Sequence, residues 1–469
     1  MVIKQTTHLS NQLSDDRDTI IALCTPLGQG AISLLRISGD NATSITNVFS
    51  LFSSGKKLID VASHTIHHGH IIDNNVKLDE VLFLVMHGPK TFTGQNTIEI
   101  SCHNNQFIIE QIISCAVKQG ARHAKPGEFT RRAFLNNKID LVQAEAINDI
   151  IHASSELSLK KAQEQLEGSL SSHIASIELE IIELLSLTES CFEFLEEEQR
   201  DLNFDTIIEE KTTNLLTKIH SVTSSYSQQQ HIKEGIRISL IGSVNAGKST
   251  LFNALVKKNR AIVSSIAGTT RDSIETSIYK NGHFLTFVDT AGLRETEDCI
   301  EQEGIKRSYQ EAEKADVILL IFDASHKLSP LESKIYMTLY QKYLSKIILI
   351  ANKSDQSEIH PSLNQLPALA VSAHLGTGIN ELESSLAKTI TTLFEKCNTP
   401  YLLNQRQYSI LTEIEANLKF IANSYSNSIE YEIVAYHLRD VLAKVSELTG
   451  KAISESILDT VFSKFCIGK

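Results

Sequence analysis

Residues 242–250 read GSVNAGKST, and this stretch decides the fold of the central part of the chain. It matches the phosphate-loop pattern G-x-x-x-x-G-K-[ST], follows the β-rich run IRISLIG and precedes the helical pattern LFNALV. Small residues allow consecutive backbone N–H groups to surround a phosphate, and the N-terminus of the next helix favours negative charge. Lys248 is predicted to reach the β- and γ-phosphates, and the Ser249 hydroxyl to bind Mg²⁺. The stretch therefore predicts a nucleotide-binding α/β domain.

Further motifs follow in the order expected of a GTPase. The hydroxyl and N–H of Thr270, in GTTRD, are predicted to face the metal and the γ-phosphate. In 289-DTAG-292, Asp289 is predicted to lie in the outer shell of the metal, and the Gly292 N–H to sense the γ-phosphate. In NKSD, the Asp355 carboxylate accepts two hydrogen bonds from guanine N1–H and the 2-amino group, which adenine cannot supply. The motif 371-VSAH-374 offers the Ala373 N–H to guanine O6. Together these motifs predict a GTP site.

Length, composition and charge limit the class of protein. A chain of 469 residues is long enough for about three domains, and 42% hydrophobic with 21% charged residues is typical of an ordinary globular protein. No apolar run approaches a membrane span, and the polar N-terminus does not resemble a signal peptide. The seven cysteines occur without a C-x-x-C pair, so we expect neither zinc nor a disulfide framework. We therefore also expect a cytoplasmic location.

The net charge of −12 argues against a chain that coats nucleic acid over its whole surface. One segment is locally basic, and two interpretations stay open for it: a basic binding face, or an ordinary solvated surface, which charge alone favours. Its residues are Lys118, Arg122, His123, Lys125, Arg131, Arg132 and Lys138.

Hydrophobic periodicity divides the chain. Residues 19–135 contain four β-rich runs, TIIALCT, AISLLRIS, DEVLFLVMHG and TIEISCH, with predicted connecting helices. Helical spacing begins near residue 140 and returns near the C-terminus, whereas residues 235–384 alternate strand and helix signals. We predict an α/β multidomain protein with an α+β domain at 1–135, a helical domain in two parts at 136–234 and 385–469, and an inserted P-loop, Ras-like domain at 235–384.

The motifs GTTRD, DTAGLRE and NAGKS resemble the tRNA-modification GTPase MnmE family. The segment 25-TPLGQGAISLLRISG-39, the segment 125-KPGEFTRRAFLNNKIDLVQAEAINDII-151 and the terminal CIGK extend this resemblance over nearly the whole chain. It implies a GTPase that acts with an FAD-dependent partner, as a heterotetramer, to modify C5 of the wobble uridine of certain tRNAs.

The resemblance also implies a mode of hydrolysis. Ras-type enzymes orient water with a glutamine after the switch glycine, but Leu293 stands there. In the family, G domains pair and K⁺ offsets developing charge. Asn245, Ser264, Ile266 and Thr269 would bind K⁺; Glu301, by composition alone a solvated acid, would place the attacking water. With the motifs above, the predicted GTP contacts are Asn245, Ala246, Gly247, Lys248, Ser249, Thr250, Ser264, Ser265, Ile266, Ala267, Gly268, Thr269, Thr270, Asp289, Thr290, Ala291, Gly292, Asn352, Lys353, Asp355, Ser372, Ala373 and His374.

The N-terminal domain of the family forms a homodimer and binds a reduced folate, such as 5,10-methylenetetrahydrofolate, as a one-carbon donor. Matching by motif, the residues implied to contact folate are Arg36, Glu99, Lys138 and Lys469, with Cys466 near the one-carbon centre in a catalytic role. By sequence alone, each charge is also consistent with an exposed surface, and the tail with a frayed end. The chain departs from the family at Asn104 and Asn105, where two glycines are usual. Asparagine tolerates positive φ, so we expect the turn to survive.

Two rival hypotheses come from other classes. A ribosome-assembly GTPase would have a similar G domain but an RNA-binding module in its flanks. A folate-dependent methyltransferase with a vestigial G domain would have lost nucleotide motifs, and all of them are intact here.

Overall fold

The computed structural model describes residues 17–26, 28–193, 203–224, 226, 232–233, 235–243, 245–258, 274–280, 283–289, 309–356, 367–395, 400–424 and 431–469. The chain divides into two compact units. Unit 1 comprises Met1–Asn148, Gln165–Asp201 and Ser428–Lys469, and unit 2 comprises Asp149–Glu164 and Leu202–Asn427. The domain boundaries given by the sequence stay a prediction.

Unit 1 contains a mixed sheet of order β3-β4-β5-β6-β2-β1-β7, antiparallel except for the parallel pair β1–β7. Its strands are β1 (Ile20–Leu23), β2 (Ile32–Ser38), β3 (Ser50–Phe52), β4 (Thr65–Asp73), β5 (Val76–Met86), β6 (Thr97–His103) and β7 (Arg122–His123). Helices α1 (Ala42–Val48) and α2 (Gln106–Lys118) contribute buried residues to the core on one face. The alternation of β6 places Ile98 and Ile100 in this core and Glu99 on the other face.

Helices α3 (Glu128–Leu135), α4 (Leu141–Ile151), α6 (Ser169–Glu193), α12 (Tyr431–Thr449) and α13 (Glu455–Phe462) lie wholly or mostly in unit 1, whereas α5 (Glu156–Leu166) lies mostly in unit 2. Helix α12 packs against α6, and the ion pairs Arg439–Glu189 and Lys451–Glu178, both 2.6 Å, join α6 to α12 and to the residues just after it. Helix α13 packs with α4 in a small cluster that includes Leu141, Phe462 and Phe465. The C-terminal part of the chain is thereby tied to its N-terminal domain.

Unit 2 contains a second sheet of order β13-β12-β11-β8-β10-β9, parallel except for the β9–β10 hairpin. Its strands are β8 (Ile236–Gly242), β9 (Ile274–Lys280), β10 (His283–Asp289), β11 (Val317–Asp323), β12 (Ile347–Asn352) and β13 (Leu369–Val371). Helices α8 (Lys248–Lys258), α9 (Pro330–Lys342) and α10 (Ile379–Glu395) follow strands, as in a parallel α/β domain. Strands β8, β11 and β12 are buried over most of their length, which explains their continuous apolar sequences.

Two further helices of unit 2, α7 (Asn203–Thr223) and α11 (Gln405–Ser424), pack together. A buried carboxylate joins them: Glu415 accepts hydrogen bonds from His220 Nδ1 at 2.9 Å, Thr223 Oγ1 at 2.6 Å and Lys419 Nζ at 2.6 Å. Burial alone would raise the pKa of Glu415, but these donors outweigh it and lower the pKa to about 2. The carboxylate is thus a charged link between two helices that flank the α/β domain in sequence.

The sequence expectations about local structure are mostly confirmed. The four β-rich runs form β1, β2, β5 and β6, and the two stretches of helical spacing form α6 and α12. Neither Asn104 nor Asn105 has a positive φ, so the tolerance of asparagine for that conformation is not what forms this turn. Asn105 instead caps α2 by accepting from the Phe107 N–H at 2.9 Å, and Asn104 Nδ2 donates to Gly28 O at 2.8 Å. Within the described ranges, no helix is both long and apolar enough to cross a membrane.

Both interpretations of the basic segment are wrong for Arg132, which is only 1% exposed. Its guanidinium donates to Asp18 Oδ1 at 2.6 Å and to Glu128 Oε1 at 3.0 Å. Glu128, also buried, accepts from Arg122 at 2.6 and 2.8 Å and from the Lys125 N–H at 2.8 Å. Much of the charge in this segment is therefore neutralised inside unit 1.

Candidate functional site

The phosphate-loop motif lies at the C-terminal end of β8, where it turns into α8. Asn245 has φ +65° and is exposed, Ala246 is buried, and Lys248, Ser249 and Thr250 form the first turn of the helix. The Lys248 ammonium donates to the carbonyls of Gly242 at 2.7 Å and of Ser243 at 2.8 Å. These bonds hold a cation beside the N-terminus of α8, an arrangement suited to a phosphate.

Asn352, at the end of β12, links the phosphate loop to the segment after β13. Its Nδ2 donates to Ala246 O at 2.8 Å, and its Oδ1 accepts from the Ala373 N–H at 3.1 Å. A Cβ on Gly247 would collide with Asn352 Nδ2, so the close approach of the two loops requires glycine at this position. Two motifs separated by about a hundred residues are thus joined by one buried amide.

The residues predicted to recognise guanine lie together at the C-terminal edge of the parallel strands. The Ser372 hydroxyl, with the nearby charges of His374 and Lys353, lowers the pKa of Asp355. Lys353 has φ +63°, and its ammonium pairs with Asp323 at 2.6 Å. Asp355 is therefore held as an exposed carboxylate, the form that accepts two hydrogen bonds.

Asp289, at the predicted metal site, is the last residue of β10. The remaining predicted residues lie outside the described ranges; they are Ser264, Ser265, Ile266, Ala267, Gly268, Thr269, Thr270, Thr290, Ala291, Gly292 and Glu301.

The C-terminal tail docks into unit 1 rather than fraying. The Gly127 N–H donates to Cys466 O at 3.3 Å, and the Phe129 N–H donates to the terminal Lys469 O at 3.2 Å. Gly468 has φ +92°, and a Cβ there would lie 2.6 Å from Leu23 O, so only glycine fits against this strand. Cys466 itself is exposed. The tail thereby lies against the end of β1 and the start of α3.

The pair Arg36–Glu99 lies close to this tail. The two residues are opposite each other on β2 and β6, and both guanidinium nitrogens Nε and Nη2 approach Glu99 Oε1, at 2.8 and 2.7 Å. No described residue donates a hydrogen bond to the other oxygen, Oε2. The Arg36 guanidinium also lies over the rings of Phe92 and Phe129, 5.8 and 5.5 Å from their centroids. The site combines a charged pair, aromatic rings and one unused acceptor.

Cys24 is a member of this cluster that the sequence did not indicate. Its thiol donates to Gly468 O at 3.3 Å. Burial raises the pKa of Cys24, while the nearby cations Arg36 and Lys469 act in the opposite direction. Pairing of β1 with β2 is the signal that could have placed Cys24 beside Arg36. Lys138 lies beside the Gly94 loop, and no direct contact joins it to the Arg36–Glu99 pair among the described residues.

The strand order and the phosphate loop with its bridging asparagine define unit 2 as a P-loop domain of the GTPase type. Sequence profiles extend the comparison to the rest of the chain. The profile of the MnmE helical domain matches residues 141–466, and that of the GTP-binding protein TrmE N-terminus matches residues 19–138.

Full-length relatives agree. The tRNA modification GTPase MnmE of Flavobacterium psychrophilum is 37% identical over 461 residues, with 96% of this chain and 99% of that protein covered. That of Bacillus pumilus is 37% identical over 464 residues, with 96% and 100% covered. The chain belongs to the tRNA modification GTPase MnmE family. Since both flanks match this family, the rival of a ribosome-assembly factor with an RNA-binding module is disfavoured.

A solved structure of Era from Aquifex aeolicus, bound to GDP and AlF4−, is also similar. It is 26% identical, with 39% of this chain and 66% of that chain covered, and the TM-score is 0.26. This likeness is too low to support a further argument.

Proposed function

We propose that this chain hydrolyses GTP and takes part in aminomethyl or carboxymethylaminomethyl addition at C5 of the wobble uridine of tRNA. The observation that carries the proposal is the match, over 96% of the chain, to proteins named tRNA modification GTPase. The linkage of phosphate loop and guanine segment through Asn352 supports it, because this linkage joins the two halves of a guanine-nucleotide site.

In this proposal GTP lies along the C-terminal edge of the unit 2 sheet. Lys248 and the N–H groups from Asn245 to Thr250 hold the phosphates, and Asp355 accepts from the guanine base. The Ala373 N–H, which donates to Asn352 Oδ1 at 3.1 Å here, is proposed to face O6 when GTP is bound. The other proposed GTP contacts are those named from the sequence, including Asn352, Lys353, Ser372 and His374. Mg²⁺, held by Ser249 and Thr270, supplies positive charge at the phosphates. The exposed first turn of α8 offers the Ser249 hydroxyl for this role.

Hydrolysis is proposed to need a monovalent cation and a second G domain. Asn245, exposed in the phosphate loop, and Ser264, Ile266 and Thr269 are the proposed K⁺ ligands. Bound K⁺ supplies charge that stabilises the transition state where other GTPases use an arginine. Glu301 is the proposed residue that positions the attacking water. We propose that the G domains of two chains pair transiently to complete this site.

The cluster beneath the C-terminal tail is the proposed site of a reduced folate. Glu99 Oε2 is an acceptor for the amino and ring N–H groups of a pterin, and Arg36, Lys138 and Lys469 are cations suited to the glutamate part. The docked position of the tail, with Lys469 O bound by Phe129 N–H, supports a role for the tail at this site. Cys466 is proposed to act near the one-carbon centre.

The proposed assembly is a homodimer through the N-terminal domain, joined to an FAD-dependent partner in a heterotetramer that binds tRNA in the cytoplasm. In this assembly FAD is carried by the partner, and GTP, Mg²⁺, K⁺ and reduced folate are bound by this chain.

Nucleoside analysis of tRNA tests the function directly. In cells lacking the protein, the wild-type chain is expected to restore the modified wobble uridine, whereas Lys248→Ala and Glu99→Gln are not. Glu99→Gln is expected to retain GTP turnover, because Glu99 and the phosphate loop belong to different compact units. Normal tRNA nucleosides in cells without the protein would refute the tRNA function, and full restoration by Glu99→Gln would refute the folate role of Glu99.

Potassium dependence tests the proposed mode of hydrolysis. Single-turnover GTP hydrolysis is expected to be faster in K⁺ than in Na⁺ at equal ionic strength, because K⁺ loses its hydration shell more easily and fits carbonyl and amide ligands. Asn245→Ala is expected to lose most of this stimulation while it still binds GTP through Lys248. Asn253→Ala, at an exposed position on α8 outside the proposed contacts, is the matched comparison and is expected to keep the stimulation. Equal rates in the two salts for the wild-type chain would contradict the mechanism without contradicting GTP binding.

A further inference from the structure

A tyrosine outside all of the nucleotide motifs contacts the phosphate loop. Tyr336 is buried in α9, and its phenol oxygen lies 2.8 Å from the backbone nitrogen of Ser243 and 2.7 Å from the carbonyl oxygen of Ile321. A backbone N–H only donates and a carbonyl only accepts, so the phenol accepts from Ser243 and donates to Ile321. The hydroxyl therefore bridges the phosphate loop and strand β11.

The bond from Ser243 fixes one end of a single peptide unit. The carbonyl of that unit belongs to Gly242, and it accepts from the Lys248 ammonium at 2.7 Å. Because a peptide unit is planar, rotation that broke the bond to Tyr336 would also move the carbonyl that holds Lys248. The orientation of the Gly242–Ser243 peptide thus couples Tyr336 to the phosphate-binding lysine.

Helix α9 holds the phenol rigidly. The helix starts with a capping box in which Ser329 and Glu332 exchange hydrogen bonds with each other's backbone N–H, at 3.2 and 2.8 Å. The Tyr336 ring packs edge-on against Phe322, with centroids 6.4 Å apart. Burial raises the pKa of Tyr336, which keeps the phenol protonated as a donor at neutral pH.

We infer that Tyr336 is a positioning residue for GTP binding, which orients the Gly242–Ser243 peptide and through it Lys248. This inference rests on the proposed function, in which Lys248 binds the phosphates of GTP. It adds a structural link between α9 and the phosphate loop that none of the GTPase motifs contains.

The test is Tyr336→Phe in the full-length chain, since this change removes the hydroxyl and keeps the ring that fills the core. The Ser243 N–H and the Ile321 carbonyl lose their partner, and Gly242 O, one of the two carbonyls that accept from Lys248, is no longer held in place. We expect the KM for GTP to rise about tenfold with kcat changed less than about twofold, because a contact made equally in the ground and transition states affects KM alone. The Kd for GDP, measured by calorimetry at a temperature where melting curves show the variant folded, is expected to rise by a similar factor.

Tyr340→Phe is the matched control, since it removes a phenol from the same helix about one turn after Tyr336 and is expected to leave both constants unchanged. A purely structural role of Tyr336 would lower kcat through loss of folded enzyme and leave KM and Kd as in the wild type, and that result would overturn the inference. Unchanged KM and kcat would overturn it as well. A wild-type chain that neither binds GDP nor hydrolyses GTP would instead refute the proposed function.

Discussion

Replacing Asp355 by asparagine is expected to weaken GTP binding by about a hundredfold or more, and to make XTP the preferred nucleotide. The carboxylate offers two acceptors to guanine N1–H and the 2-amino group, whereas asparagine offers one acceptor and one donor. The amide donor would face the 2-amino donor of guanine, but it would pair with the 2-oxo group of xanthine.

Equilibrium titration of the full-length chain with GTP and XTP measures this change. Gln356→Ala is a suitable control, because Gln356 is the exposed neighbour of Asp355 and is not one of the proposed GTP contacts. Its backbone N–H donates to the Lys353 carbonyl, a bond that the change to alanine keeps. An Asp355→Asn variant that binds GTP as tightly as the wild type would remove Asp355 from the guanine site. A variant that loses GTP and XTP equally would indicate a general collapse of the loop rather than a change of base recognition.

The phosphate loop could be predicted from the sequence because its chemistry is local. Gly242, Gly247 and Lys248 lie in or beside one loop between a strand and a helix, so their spacing in the chain determines their geometry. Strands β2 and β6 were predictable for a related reason, since alternation of apolar residues identifies a half-buried strand. Strand β4 was not, because its run His67, His68, Gly69 and His70 is polar. It is held by pairing on both sides, with β3 and β5.

Contacts between residues that are distant in the chain account for the features of the structure that the sequence did not predict. Cys24 and Gly468 are 444 positions apart, and no periodicity in the sequence relates them. Tyr336 meets the phosphate loop because β8, which leads into that loop, pairs with β11 in the sheet. Its other partner, Ile321, lies on β11. Arg132 looked solvated because its neighbours in sequence are basic, whereas its partner Asp18 lies 114 positions away. Local patterns therefore predicted the elements, but not which charges are buried.

The buried ion network around Glu128 is expected to make the stability of unit 1 depend on acidic pH. Burial alone would raise the pKa of Glu128, but hydrogen bonds from Arg122 and Lys125 N–H, and the charge of Arg132, lower it from 4.5 to about 2. A carboxyl whose folded pKa is depressed stabilises the fold above its unfolded pKa, and loses that contribution as pH falls through the folded pKa. Stability is therefore expected to fall between about pH 5 and pH 2, by about 3 kcal/mol for this group.

Glu128→Gln is expected to lose the same amount at neutral pH, about 3 kcal/mol, because it leaves the buried Arg132 and the half-buried Arg122 with one carboxylate fewer. Native-state hydrogen exchange of peptides from β1 and α3 measures this in unit 1 of the intact chain. The difference in the free energy of opening between wild type and variant should decrease as pH falls from about 5 to 2. The control is Glu110→Gln, at an exposed position on α2, which should change this free energy by less than about 0.5 kcal/mol. A free-energy difference that is absent at pH 7, or that stays constant down to pH 2, would contradict the depressed pKa of Glu128.

Because Glu128 lies between Gly127 and Phe129, whose N–H groups bind the C-terminal tail, the variant should also release the tail. Hydrogen exchange at residues 466–469 should then be faster in the variant than in the wild type.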